Sequence, residues 1–162
     1  MSMQGETGPH AGGIVLPPGG GKVLHVLGNL WTMKVGAEDT GGPIAVLEGT
    51  FQPKTGAPMH VHRQHEETFY VLEGEFTFQL GTQTVKATAG TFVLVPREVP
   101  HAFENVGNQP GRLLGIMTPG GYERFFEELA QLPPGPPERA KFQTIFEKYD
   151  QETVELPPAE EA

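Results

Sequence analysis

The 162-residue chain has no cysteine, which excludes disulfides and thiolate metal sites and removes thiols as a guide to redox compartment. It has no run of about 18 apolar residues, so no membrane span is expected. The opening MSMQGETGPHAGG shows no basic-then-apolar signal pattern. Cations are scarce: 11 Lys and Arg stand against 20 Asp and Glu, for a net charge of −9, and the cations form no cluster. Nucleic acids and acidic membranes are therefore poor partners. These absences together predict a soluble, cytoplasmic protein of ordinary one-domain size.

What the sequence does have is Gly (22) and Pro (16), set between short apolar runs rather than in repeats. KVLHVLG, LWTMKV, IAVLEGTF, MHVH, ETFYVLEG, EFTFQL, TQTVKATA, GTFVLVP, HAFENVG and RLLGIMTP read as strands, with no helix between them. That pattern predicts a sandwich or barrel, not a parallel α/β sheet. After Pro119 the period changes. Tyr122, Phe125, Phe126 and Leu129 recur at helical spacing, with Glu123, Arg124, Glu127 and Glu128 off that face. LPPGPP breaks this helix, and Pro137 stands near the first turn of a second one, where proline is tolerated. There Phe142, Ile145, Phe146 and Tyr149 repeat the spacing. The two stripes are expected to pack outside the barrel, the alternative being that one closes the mouth of a site. The predicted organisation is a flexible arm over 1–21, a β-barrel over 22–119, a helical extension over 120–150 and a polar tail over 151–162.

MHVHRQHEETFYVLEG, Met59 to Gly74, concentrates the chemistry. His60 and His62 are two apart, so on a strand both point the same way. Arg63 to Glu66 are polar and suit a turn, and a hairpin there would bring Glu67 beside the two imidazoles. Two imidazoles and a carboxylate converging on one point suit a divalent transition metal. A fourth ligand must come from elsewhere. His101 opens the strand after GTFVLVP and is the one histidine that follows the cluster. His65 is expected to be solvent-exposed in the turn, with an indirect role at the site as the alternative. Glu66 is expected to face away, and Glu73 and Glu75 to flank Gly74 in a solvated hairpin turn.

These residues give the chain its resemblance to the cupins. The first cupin motif, G-x5-H-x-H-x(3,4)-E-x6-G, is matched by His60, His62, Glu67 and Gly74, with the leading glycine out of register at Gly56. The second, G-x5-P-x-G-x2-H-x3-N, is matched by Gly90, Pro96, His101 and Asn105, with Glu98 where the family has Gly. That glycine serves a turn and is not a ligand. The flanking strands and TPGGYERFFEEL also resemble small quercetin-dioxygenase-like cupins. The resemblance implies an all-β jelly-roll barrel, here with two C-terminal α-helices, holding one metal (Fe, Mn, Ni, Co or Zn) on His60, His62, Glu67 and His101. Core histidines in a metal-free barrel are the competing reading, and four ligands in register count against it.

Parity then predicts the pocket. Phe69 and Val71 share the inward face with Glu67, Phe103 shares that of His101, and Phe76 and Phe78 are the better inward pair of their strand. A metal among phenylalanines suits a small aromatic or enolic ligand. The resulting expectation is a metal-dependent dioxygenase in which Glu67, as the resemblance implies, also serves as general base. The alternatives are a non-catalytic small-molecule binding cupin and a metal-dependent isomerase of a sugar or keto acid. Tyr70 and Leu72 fall on the opposite face, where their apolar character predicts cover by neighbouring strands or by the second subunit of a homodimer.

Overall fold

A computed structural model of the chain describes residues 9–10, 12–134 and 138–154. Parts of the expected arm and tail (1–8, 11 and 155–162) and Pro137 lie outside the described residues. The strands are β1 (Pro9–His10), β2 (Gly13–Ile14), β3 (Lys22–Val26), β4 (Asn29–Val35), β5 (Ala45–Phe51), β6 (Gly56–Val61), β7 (Glu66–Glu73), β8 (Glu75–Leu80), β9 (Gln83–Thr88), β10 (Phe92–Val95), β11 (His101–Asn105), β12 (Gly111–Thr118) and β13 (Glu152–Thr153). The helices are α1 (Ala37–Thr40), α2 (Glu123–Ala130) and α3 (Arg139–Lys148).

Among the described residues, two antiparallel sheets form the barrel, ordered β10-β7-β12-β5-β4-β3 and β13-β6-β11-β8-β9, and β1 pairs only with β2. This is an all-β jelly roll with C-terminal helices. The strands form because their alternation matches the pleat: β5 and β12 bury every second residue along their whole length. The inward residues include a cluster of aromatic rings among aliphatic side chains. Phe103 lies 5.1–5.5 Å, centroid to centroid, from Phe51, Phe69 and Phe78. Each such ring contributes about 1.5–3 kcal/mol through burial alone.

Several expectations need correction. One helical turn, α1, interrupts the strand series between β4 and β5. The connections at Arg63–His65 and at Gly74 are not hairpins, because β6 and β8 belong to one sheet and β7 to the other. Gly74 takes φ +91° at this corner, and a Cβ there would come within 2.9 Å of Gly111 Cα. Glu123 is buried rather than exposed, because its carboxylate accepts the backbone N–H groups of Ala37 and Gly121. Among the described residues nothing covers Tyr70 and Leu72: they are 44% and 36% exposed, beside Phe92 and Leu94 of the edge strand β10. Glu66 does face outward, and it pairs with Arg97 at 3.0 Å.

Candidate metal centre

The barrel brings together four side chains from three places. His60 on β6 and His101 on β11 are direct cross-strand partners, and their rings lie 4.2 Å apart. Glu67 comes from β7 in the facing sheet. His62 stands just past the end of β6, where its carbonyl accepts the N–H of Glu98 at 2.6 Å. That bond ties the β10–β11 loop to the β6–β7 connection. Glu98 takes φ +67°, the left-handed conformation that suits glycine, which explains what the family's glycine does at this turn. All four side chains are buried, and their ligand atoms lie within 4.8 Å of one another.

Carbonyl oxygens fix the tautomers. His60 Nδ1 is 2.6 Å from Pro58 O, His101 Nδ1 is 2.9 Å from Val99 O, and His62 Nδ1 contacts the carbonyl of Asp150. A carbonyl can only accept, so each Nδ1 carries a proton and each Nε2 is the nitrogen turned to the centre, where that of His101 can donate to Glu67 and a metal would instead take its lone pair. His101 Nε2 lies 3.0 Å from Glu67 Oε2, and His62 Nε2 lies 3.5 Å from Oε1. His62 Nε2 is buried with no hydrogen-bond partner. Burial of an unsatisfied nitrogen is costly, so the position asks for an occupant. Three imidazole lone pairs and one carboxylate suit a divalent transition metal, and His60, His62, Glu67 and His101 can hold one.

Electrostatics favour the ligating forms. Burial, and then the neighbouring His101, lower His60 from its ordinary 6.5 to about 4, so its imidazole is neutral at pH 7. Burial alone would raise the Glu67 carboxyl, but the imidazoles of His101, His62 and His65 outweigh it and hold it well below the usual carboxylate range.

His65 is not where the turn placed it. It is 4% exposed, its Nδ1 lies 2.8 Å from Asp150 Oδ2, and its Nε2 faces Glu67 Oε1 at 3.8 Å without a hydrogen-bond partner. One signal was available: residues 65, 67 and 69 share parity. Tyr122 also reaches the centre, with its ring 4.7 Å from that of His62 and 4.6 Å from that of His65. Burial, and then the charges of Glu67 and Asp150, push its phenol well above the usual range, so it remains a donor, to Gln151 Oε1. Asp150 and Gln151 carried no sequence signal, because nothing local links them to residues some eighty positions earlier.

A cavity of about 100 Å³ opens against His60 and Glu67. Phe69 and Phe103 line it, whereas Val71, Phe76 and Phe78 are buried in the core and do not reach the wall. The far wall comes from the helices: Phe125, Phe126 and Leu129 of α2, and Phe142 and Phe146 of α3. The aromatic stripes thus line the cavity as well as packing, α2 against Trp31 of the barrel and α3 against α2.

Residues 47–117 match the family model of the cupin domain. The chain is 26% identical over 141 residues to quercetin 2,3-dioxygenase of Bacillus subtilis, covering 84% of this chain and 42% of that protein. The chain spans less than half the length of the curated relatives it matches. In fold it is similar to a predicted oxalate decarboxylase of Thermotoga maritima (TM-score 0.54, 21% identity, covering 56% of this chain and 80% of that one). It is also similar to an RmlC-like cupin of Shewanella frigidimarina (TM-score 0.56, 21% identity, 64% and 88%).

Proposed function

We propose that this chain, whose residues 47–117 match the cupin domain, is a metal-dependent dioxygenase of a small phenolic or enolic compound. The observation that carries this reading is the open side of the ligand cluster: His60 and Glu67 border a cavity whose remaining wall is dominated by aromatic rings and includes no Lys or Arg. The similarity to quercetin 2,3-dioxygenase supports the reaction class. A cavity of about 100 Å³ is below the roughly 300–1,000 Å³ of drug-sized sites and nearer the ~150 Å³ that holds benzene, which favours a compact ring over a flavonol.

A divalent transition metal on His60, His62, Glu67 and His101 would supply Lewis acidity and, for redox-active ions, electron transfer to dioxygen. The chain's own residues do the rest. The phenylalanines exclude water and hold the apolar part of the substrate. Glu67 is proposed to take the substrate's hydroxyl proton on a carboxylate oxygen, and the neighbouring imidazoles keep it ionised for that task. An isomerase of a sugar phosphate is less well served, because Arg97 is paired with Glu66, Arg63 with Glu152, and neither lines the cavity. An anion such as oxalate meets the same objection.

The test is metal analysis of purified protein, then oxygen uptake with phenols and β-diketones after loading with Fe, Mn, Ni or Co in turn. Roughly one metal per chain is expected, with strong loss in His60→Ala, His62→Ala and His101→Ala. Glu67→Gln should lower turnover about 10²–10⁴-fold while leaving substrate binding measurable. Protein that binds phenols but consumes no oxygen with any of these metals is a binding module. Solvent proton exchange beside a carbonyl without oxygen uptake identifies an isomerase. We also propose a homodimer in which a second copy covers Tyr70, Leu72, Phe92 and Leu94, and a monomeric mass in light scattering at micromolar concentration would exclude it.

A further inference from the structure

His62 lies past the last ladder position of β6, so strand pairing does not hold its ring. What holds it is the chain that follows α3. Asp150 presents its main-chain carbonyl to His62 Nδ1. Its Oδ1 accepts the N–H of Arg63 at 2.9 Å, and its Oδ2 accepts both the N–H of Gln64 at 2.8 Å and Nδ1 of His65 at 2.8 Å. One residue therefore satisfies the whole connection from His62 to His65. Two consecutive amides on one carboxylate make a concave anion-binding turn. The carboxylate is suited to the place: burial would raise it, but the Arg63 and Gln64 amides and then His65 hold it below its usual value.

The flanking residues continue the clasp. β13 pairs along the outer edge of β6, with Glu152 opposite Val61 and Thr153 opposite His60, and the Val154 N–H reaches Met59 O at 3.2 Å. Gln151 accepts the Tyr122 hydroxyl and lines the cavity. The second observation at the site is the buried, unpartnered Nε2 of His65, which Asp150 fixes in the Nδ1–H tautomer and which faces Glu67.

We propose that Asp150 is a positioning residue of the metal centre, and that Tyr149–Val154 strap the centre into the barrel so that metal affinity depends on this C-terminal segment. The proposal rests on the reading of His60, His62, Glu67 and His101 as metal ligands. It assigns His65 a place beside the occupied centre, its orientation set by Asp150. It replaces the expectation of a solvent-exposed His65 with the indirect role that was its alternative.

The test is cobalt(II) titration of the full chain, read as dissociation constant and as visible absorption spectrum. Removing a partner that orients a ligand typically costs 10–100-fold in affinity. Asp150→Ala is expected to lose affinity in that range and to alter the cobalt spectrum. Asp150→Asn, whose amide oxygen still accepts a backbone N–H, should recover part of both. Glu152→Ala breaks an exposed pair with Arg63 and should change affinity less than about fivefold. Wild-type affinity and spectrum in Asp150→Ala overturn the proposal, even if the variant melts earlier. If Asp150→Ala fails to fold, hydrogen exchange in the wild type decides. Zinc loading should slow the Arg63 and Gln64 amides, and unchanged exchange overturns the proposal. A wild-type chain that binds no cobalt at all overturns the metal reading itself, which is a distinct result from metal bound equally well with and without Asp150.

Discussion

Glu98 stands in a conformation that L residues enter at a cost of roughly 1–2 kcal/mol, set against about 0.5–1 kcal/mol of extra chain entropy that glycine would lose on folding. Its side chain offers little in return, since its contact with Arg63 is 3.9 Å long and both groups are exposed. Glu98→Gly should therefore stabilise the protein by about 0.5–1 kcal/mol, read as a higher urea midpoint at unchanged slope. A lower midpoint would mean that the Glu98 side chain matters in a way its exposure does not suggest. Asn105 shows what a motif position does. Buried, it donates to Phe51 O and Gln109 O and accepts the Gly107 N–H, fixing the end of β11. Its place in the pattern was legible in the sequence, but those three partners were not.

Strands were legible because burial alternates with period two, and α2 because its apolar stripe has period 3.6. Sheet membership was not, since a polar connection such as Arg63–His65 reads the same whether it closes a hairpin or crosses between sheets. The four clustered groups could be named from spacing and resemblance, whereas His65 could not be placed, because a turn's local polarity says nothing of a carboxylate arriving from Asp150. The wall built by α2 and α3 yields a prediction at this scale. Phe126 packs on Trp31 at 4.8 Å and lines the cavity. Phe126→Ala should enlarge the cavity, weaken binding of a one-ring phenol such as catechol, and admit three-ring flavonols that the parent excludes. Calorimetry with both compounds checks this, and parallel losses for the two would show that Phe126 does not set the size limit.

Acid should act on the molecule as a whole. His60 titrates near 4 when folded against 6.5 ordinarily, so between those values the unfolded chain binds the proton and the folded one does not. Stability therefore falls as pH drops from 6.5 towards 4, by up to about 3 kcal/mol from this group. Glu67 acts in the same direction: its folded value is depressed, so its contribution is present above the usual carboxylate range and is lost as pH falls below it. Neutralising part of the net charge of −9 opposes this by relieving self-repulsion, a surface effect that physiological salt screens. Chelator-treated protein in salt should show a lower urea midpoint at about pH 5 than at pH 7. A flat profile would show that His60 is not buried in its neutral form.

His60 and His101 belong to one sheet and Glu67 to the other, with His62 on the crossing between them. The cluster therefore does not exist until the two sheets have docked, which is a late event for a chain whose pairings are largely non-local. An ion bound there is acquired after the folding barrier and acts as a rivet between layers that must separate on unfolding. Loaded and chelated protein should then refold at the same rate and differ almost entirely in how slowly they unfold. The ion would set the lifetime of the folded protein and not the speed of its making.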